Sequence, residues 1–168
     1  MLFAFLSRDV FAQTESPTAS SSPTPVVSQT VDYELPYPGM LPDNPLYNLK
    51  ALRDRVIEFL ISTPSKKSEF YLLASDKRVN TGYYLILKGK DDMGVLYISK
   101  SNNYMSMAIP QAEQAGTHGK ETLQKIKTSI KKHQEVIKTA QKDVDQKNKT
   151  KLENEIKRLS KMITLIKK

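Results

Sequence analysis

Histidine is the residue type in this chain best suited to acid–base or metal chemistry, and the chain contains two. His133 falls among apolar residues spaced three and four apart, at a position where an aliphatic side chain is expected. A metal site would need a second ligand about one turn away on the same helix face. Ser129, Val136 and Ile137 occupy those positions, so a metal would require ligands from other helices. We interpret His133 as a hydrogen-bonded interior residue, and expect His133→Leu to retain the fold and raise stability.

Other patterns that mark catalytic or cofactor sites are missing from the sequence. GKDDMG at residues 89–94 lacks the glycines and the Lys-Ser/Thr pair of a phosphate-binding loop, and neither G-x-S-x-G nor H-E-x-x-H occurs. Cysteine is absent. Met93, Met105 and Met107 are soft ligands, but residues two apart on a helix point in different directions, so we interpret them as packing residues. His118 is expected to be exposed. We therefore predict no enzymatic activity and no catalytic, cofactor-binding or metal-binding residue.

A row of lysines is the strongest candidate for binding. Residues 116–168 carry 15 basic and 6 acidic side chains, a net charge of +9. The whole chain has a net charge of +8, so its excess of positive charge lies in this segment. Such a row is either a solvated helix face or a site for an anionic partner such as acidic lipid, wall polymer or nucleic acid. Nucleic acid is disfavoured, because this segment has no aromatic residue for base stacking and a single arginine, Arg158. Five of these lysines share one side of a predicted helix: Lys120, Lys127, Lys131, Lys138 and Lys142.

The start of the chain predicts export. Residues 1–6 are apolar, and residues 7–12 read as the polar end of a secretory signal, with Val10 and Ala12 at the small-residue positions. We interpret residues 1–12 as a signal remnant whose beginning lies upstream. Residues 13–34, rich in Ser, Thr and Pro, predict a disordered tether. The prediction is an extracytoplasmic protein without a complete membrane-spanning helix, since no run of eighteen apolar residues occurs.

Helical periodicity dominates residues 35–168, which we predict to be one helical domain. Asn44 with Pro45, and Thr63 with Pro64, each combine a helix cap with a first-turn proline. The first helix then shows apolar residues at helical spacing: Leu46, Leu49, Leu52, Val56, Phe59 and Leu60.

The remaining helices follow from the same reasoning. The second helix is expected to run to about Lys88, before Gly89, and a third helix follows GKDD. The predicted inner side of the third helix is Met93, Leu96, Tyr97, Tyr104, Met107 and Ala108. Pro110 should kink or restart the third helix. From residue 117 two regular apolar seams flank a polar DQKNK turn. The sequence predicts an all-α fold of about five helices, a bundle ending in a long antiparallel hairpin.

Three segments resemble one family. LPDNPLYNLKALRDRVIEFL, SKKSEFYLLASDKRV and KKHQEVI are similar to an uncharacterised bacterial family, domain of unknown function 5667, over most of residues 35–140. The resemblance implies an exported helical protein and carries over no activity. Residues 79–82 depart from the family's alanine-rich pattern, so a local distortion of the second helix is expected.

Three hypotheses for function follow. The leading one is an exported helical interaction or scaffolding module with a protein or cell-envelope partner. The main alternative is binding of anionic polymer or a lipid surface through the basic C-terminal hairpin. A tetratricopeptide-like hairpin of helices two and three that binds a peptide is weaker, since no repeat at a fixed period occurs.

Overall fold

The computed structural model describes residues 31–166, and the predicted signal remnant and nearly all of the predicted tether lie outside them. Five α-helices make up most of this part of the chain: α1 (Tyr47–Leu60), α2 (Pro64–Leu87), α3 (Asp91–Gln114), α4 (Gly119–Ala140) and α5 (Gln146–Ile166). A single 3₁₀ turn, Gly116–His118, joins α3 to α4. No strand occurs among residues 31–166. The prediction of an all-α fold with five helices is confirmed.

Two antiparallel hairpins form the bundle. The α2–α3 hairpin turns through three residues that include Gly89, whose φ of +70° is a left-handed conformation that favours glycine. The α4–α5 hairpin packs against it, with α4 touching both α2 and α3, and α5 touching α3. The core between the four helices is made of side chains closed to solvent, among them Val79, Leu85, Ile98, Met105, Ile126, Ile130, Ile137, Leu152 and Leu159.

The helix boundaries agree with the proline and cap signals in most places. Thr63 is the N-cap of α2 and Pro64 its first residue, as predicted. In α1 the signal is displaced by two residues: the Asn44 Oδ1 atom accepts a hydrogen bond from the Leu46 amide at 2.9 Å, and the helix begins at Tyr47. Pro110 lies inside α3, which continues without a break. Proline has no backbone N–H to donate to the carbonyl four residues earlier, but the loss of this one hydrogen bond does not end the helix.

The expected distortion at residues 79–82 is absent, because α2 is helical throughout. Gly82 instead marks the closest approach of α2 to α3. A Cβ atom added to Gly82 would lie 2.7 Å from the carbonyl oxygen of Gly94, and one added to Gly94 would lie 2.7 Å from that of Gly82. The pair of glycines lets the two backbones meet.

The predicted inner face of α3 is correct in part: Tyr97 and Ala108 are buried, and Tyr104 packs against the core. Met93, Leu96 and Met107 are exposed to between 38% and 50%. The helix instead buries a line that includes Gly94, Ser101 and Asn102, together with Ile98, Met105 and Ala112. The small and polar members of this line carry no apolar signal, so the apolar pattern locates only part of the buried face.

An extended segment, residues 31–46, crosses α2 before α1 begins, and we call it the N-terminal strap. The Tyr33 hydroxyl donates to Asp76, and the Asn80 side-chain amide donates to the Pro36 carbonyl at 3.1 Å. Near the end of the strap Asp43 accepts from Lys90 at 2.9 Å. Tyr33 belongs to the segment predicted as tether, so the contacts of the fold extend into that segment.

The first helix is peripheral. It has no buried residue, and its apolar side chains point to solvent. The periodicity of α1 thus predicts the helix correctly but not the side on which it packs. Within residues 31–166 no helix has both the length and the hydropathy required to cross a bilayer.

Candidate functional site

The most concentrated polar chemistry in the structure is a buried network around Asp76. The Asp76 carboxylate accepts hydrogen bonds from the Tyr33 hydroxyl at 2.5 Å and from the Ser129 hydroxyl at 2.5 Å. The His133 Nε2 atom lies 2.8 Å from Asp76 Oδ1. These four residues come from the strap, α2 and α4, so only the tertiary fold brings them together. A carboxylate accepts bonds and does not donate, so Nε2 carries hydrogen in this arrangement.

The other ring nitrogen of His133 continues the network. The Nδ1 atom lies 3.4 Å from the Ser101 hydroxyl, and the Ser75 hydroxyl donates to the Ser101 carbonyl at 2.9 Å. The order Asp–His–Ser resembles the relay of serine hydrolases. However, His133, Ser101 and Ser129 have no exposed surface, so no substrate carbonyl can reach the serine hydroxyls. The network stabilises the fold and has no access for catalysis.

His133 is therefore a hydrogen-bonded interior residue, as interpreted from the sequence. The structure reverses our expectation for leucine at this position, because the site contains a buried carboxylate that the apolar spacing of α4 cannot reveal; we expect His133→Leu to lower stability. Among the described residues no group of three or more His, Asp or Glu side chains could hold a metal ion.

Burial also changes the acidity of several tyrosines. Removal from water and, secondarily, the neighbouring Asp76 carboxylate raise the pKa of Tyr33. Burial and a hydrogen bond to Glu58 raise the pKa of Tyr71 to about 12. Because the ordinary tyrosine pKa is about 10, the folded state holds these phenolic protons more tightly than the unfolded chain does.

This coupling gives a prediction at alkaline pH. The stabilisation from the raised pKa of Tyr33 is complete below about pH 10 and is lost as pH rises through the folded value. We expect the free energy of unfolding to fall above about pH 10, and to fall less steeply in Tyr33→Phe. At neutral pH the variant should be less stable by about 1–3 kcal/mol, since Asp76 loses a donor. Urea unfolding followed by circular dichroism at several pH values measures both effects.

The matched control for this prediction is Tyr37→Phe, at a strap residue that is 75% exposed. It should follow the wild-type pH dependence and neutral stability. A Tyr33→Phe protein as stable as the wild type at neutral pH would show that the strap does not hold Asp76 in solution.

The accessible chemistry lies in a cleft of about 320 Å³ between α1, α2 and α3. We call it the tyrosine cleft and define it by six of its lining residues: Tyr47, Phe70, Arg78, Tyr97, Lys100 and Tyr104. The Tyr47 and Tyr97 rings meet edge to face at 6.0 Å and join α1 to α3.

Two cations of the cleft are held by aromatic rings. The Arg78 guanidinium carbon lies 3.9 Å from the centre of the Tyr104 ring, and Arg78 also donates to the Ala74 carbonyl at 3.0 Å. The Lys100 ammonium lies 4.7 Å from the centre of the Tyr97 ring. These contacts restrict both side chains before any ligand binds.

Two acidic residues, Asp54 and Glu58, also line the cleft, and both already have partners. Asp54 accepts a hydrogen bond from Arg53 at 2.8 Å, and Glu58 accepts one from the Tyr71 hydroxyl at 2.9 Å. Within residues 31–166 no carboxylate forms an ion pair with Arg78 or Lys100. The cleft therefore offers cations next to aromatic surface, a combination suited to an anionic ligand that also has apolar groups. No local pattern in the sequence indicates this cleft, because its residues come from three helices.

Four lysines of the predicted row lie on the outer side of α4, and Lys142 lies in the turn that follows the end of the helix at Ala140. Four members of the row are exposed and Lys127 is half-buried: the exposed ones are Lys120, Lys131, Lys138 and Lys142. Next to the row, Lys132 is buried, with its Nζ atom 3.6 Å from the Glu135 carboxylate. The sequence did not indicate that one lysine of the KKH run turns inward.

The architecture is an all-α bundle of two hairpins with a peripheral first helix and a polar network around Asp76 in the core. Comparison with protein families shows a match over residues 39–167 to the family described as Domain of unknown function (DUF5667). The chain belongs to that family, as the resemblance predicted, and the match includes the C-terminal hairpin. No curated protein and no solved structure matched the chain in the other two comparisons.

Proposed function

We propose that this protein is an exported helical interaction module without catalytic activity, and that it binds an acidic segment of a protein partner in the tyrosine cleft. The observation that carries the proposal is the pair Arg78 and Lys100, held over aromatic rings at an open cleft with no carboxylate partner among the described residues. Preorganised cations lose little side-chain entropy on binding a carboxylate. The aromatic rings beside them suit apolar side chains of the same segment.

Export is the part of this proposal that rests on composition alone. Its support is the signal-like residues 1–12 and the Ser/Thr/Pro-rich residues 13–34. An amino-terminal segment of this kind holds a folded module at a distance from a surface or from a second domain. The absence of catalysis is proposed because the one Asp–His–Ser arrangement that we find lies inside the core.

The cleft can be tested with a fluorescein-labelled peptide of glutamate and leucine, with fluorescence anisotropy as the measurement. Double substitution Arg78→Gln with Lys100→Gln should weaken binding at least about tenfold, since it removes both cations, each charged contact being worth roughly 1.5–3 kcal/mol. A peptide with glutamine in place of glutamate should bind the wild-type protein no more tightly than the glutamate peptide binds the double variant.

The matched control removes two exposed lysines of α5, Lys149→Gln with Lys157→Gln, so the net charge changes equally. Its affinity for the peptide should stay close to the wild-type value. Equal binding by the cleft variant and the wild type would contradict the site. Thermal melting of each variant separates loss of binding from loss of fold.

The second candidate function is binding of an anionic polymer or lipid surface through the basic hairpin. The observation that favours it is the exposed line of the lysine row on α4. The same anisotropy experiment distinguishes the two sites. Loss of peptide binding in Lys131→Gln with Lys138→Gln, with binding retained in the cleft variant, would move the anion site from the cleft to the lysine row.

A further inference from the structure

The first helix presents its apolar side to solvent. Its outward residues, which we call the α1 stripe, are Leu46, at the N-cap, and Leu49, Leu52, Val56, Phe59 and Leu60. Their exposed fractions range from 51% at Val56 to 88% at Phe59. Single exposed apolar residues are common on soluble proteins, whereas a continuous row along one helix marks a surface that contacts something else.

The orientation of α1 is held by contacts of its polar side. The Lys50 ammonium donates to the Pro38 carbonyl at 2.9 Å, and Glu58 accepts from the Tyr71 hydroxyl at 2.9 Å. The Tyr47 ring packs against Tyr97. Rotating the stripe inward would break all of these contacts, so the outward position follows from specific interactions.

Basic and acidic residues of α1 lie on different sides of the helix. Arg53 and Arg55 are exposed and lie on the two sides of the stripe. The acidic residues Asp54 and Glu58 are half-buried on the inward side, where Glu58 accepts from the Tyr71 hydroxyl and Asp54 accepts from Arg53 itself. The outward half of α1 is therefore apolar and cationic, and the carboxylates that would repel an anionic surface are turned away from it.

We propose that the α1 stripe binds the surface of an anionic lipid bilayer, with α1 lying parallel to the membrane plane. A helix of this kind buries its apolar side at the boundary between headgroups and acyl chains. Arg55 then reaches lipid phosphates directly, and Arg53 does so by exchanging its contact with Asp54 for a phosphate. Each basic residue near an anionic membrane adds to the attraction. The tyrosine cleft is lined mainly by the inward side of α1, but Arg55 also lines it. Leu52 and Phe59 do not line the cleft, so their substitution tests the membrane surface separately from the ligand proposed for the cleft.

Charge argues against a second copy of the chain as the occupant. In an antiparallel pair of α1 helices, Arg53 lies near the midpoint and would meet its own counterpart. In a parallel pair, Arg53 of one copy would lie opposite Arg55 of the other copy at the edge of the contact between the helices. Both arrangements bring like charges together. A partner helix is also disfavoured, since helices dock into grooves between elements, and the stripe is the outer side of one helix.

The test is flotation of the full chain with vesicles of phosphatidylcholine alone or mixed with phosphatidylglycerol. The wild-type protein should float with the anionic vesicles and much less with the neutral ones. Leu52→Gln with Phe59→Gln should reduce the bound fraction at least about tenfold, since both residues are exposed in the free protein and buried only at the lipid surface. Arg53→Gln with Arg55→Gln should reduce binding to the anionic vesicles specifically.

Two matched controls complete the design. Leu165→Gln alters an apolar residue of α5 that is 63% exposed, and Lys138→Gln with Lys142→Gln removes two charges from the lysine row. Both should float like the wild type. Unchanged flotation of the α1 variants, or loss only in the lysine variant, would overturn the proposal. So would light scattering that shows a wild-type dimer and a monomeric Leu52→Gln/Phe59→Gln variant, since the stripe would then be an interface between copies.

Discussion

The His133→Leu variant should be less stable than the wild type by about 3–5 kcal/mol, because it leaves the Asp76 carboxylate buried without its ring partner. Leucine fills the volume and adds apolar burial, but it cannot donate to Asp76 Oδ1, which lies 2.8 Å from Nε2. The Ser129 and Tyr33 hydroxyls remain, and they do not replace a basic ring. Urea unfolding at neutral pH measures the loss as a shift of the transition midpoint.

A double-mutant cycle separates the contribution of the Asp76–His133 hydrogen bond from the effect of changing side-chain volume. Asp76→Leu alone should also destabilise, since the His133, Ser129 and Tyr33 donors lose their acceptor. The double variant Asp76→Leu with His133→Leu should recover part of the loss, because replacing both partners of a buried hydrogen bond by apolar residues leaves neither group unpaired. Ile137→Leu, a shape change at a fully buried site of the same helix, is the control and should cost less than about 1.5 kcal/mol. A His133→Leu protein as stable as the wild type would show that this position accepts an aliphatic side chain, as the spacing of α4 predicts.

Substitution of alanine for Gly82 or Gly94 should destabilise the protein by about 1–3 kcal/mol, with a larger loss in the double variant. At an open helical position the same change would stabilise by up to about 1 kcal/mol through helix propensity. Here the added Cβ atoms would lie 2.7 Å from the carbonyl oxygen of the opposite helix, and that of Gly82 also 2.6 Å from Ile98. The α2–α3 hairpin would have to separate along its length.

Thermal melting and urea unfolding of the two single variants check this expectation. Asn103→Ala, at an exposed position of α3, serves as the control for helix propensity and should be neutral or mildly stabilising. If Gly82→Ala melted at or above the wild-type temperature, the two helices would not approach each other as closely as the structure has them.

Local sequence features were sufficient to predict the elements of this fold. Thr63 with Pro64 begins α2, and Gly89 follows its end, because caps, prolines and left-handed glycines act within a few residues of themselves. The regular seams of α4 and α5 predicted the antiparallel hairpin for the same reason. Family membership was also readable from sequence, since it rests on the residue pattern of the α1, α2 and α4 segments.

Partner residues and buried faces were decided by the tertiary structure. Nothing near His133 in sequence indicates Asp76, which lies 57 residues away and turns an apolar position into a polar one. The stripe of α1 has the spacing of a buried face, yet Tyr47, Lys50 and Glu58 hold that helix with its polar side inward. Likewise Arg78 and Lys100 form a site only where α2 and α3 pack side by side. Periodicity in the sequence shows that a helix has an apolar side and a polar side. Which side is buried depends on the long-range contacts that each side can make.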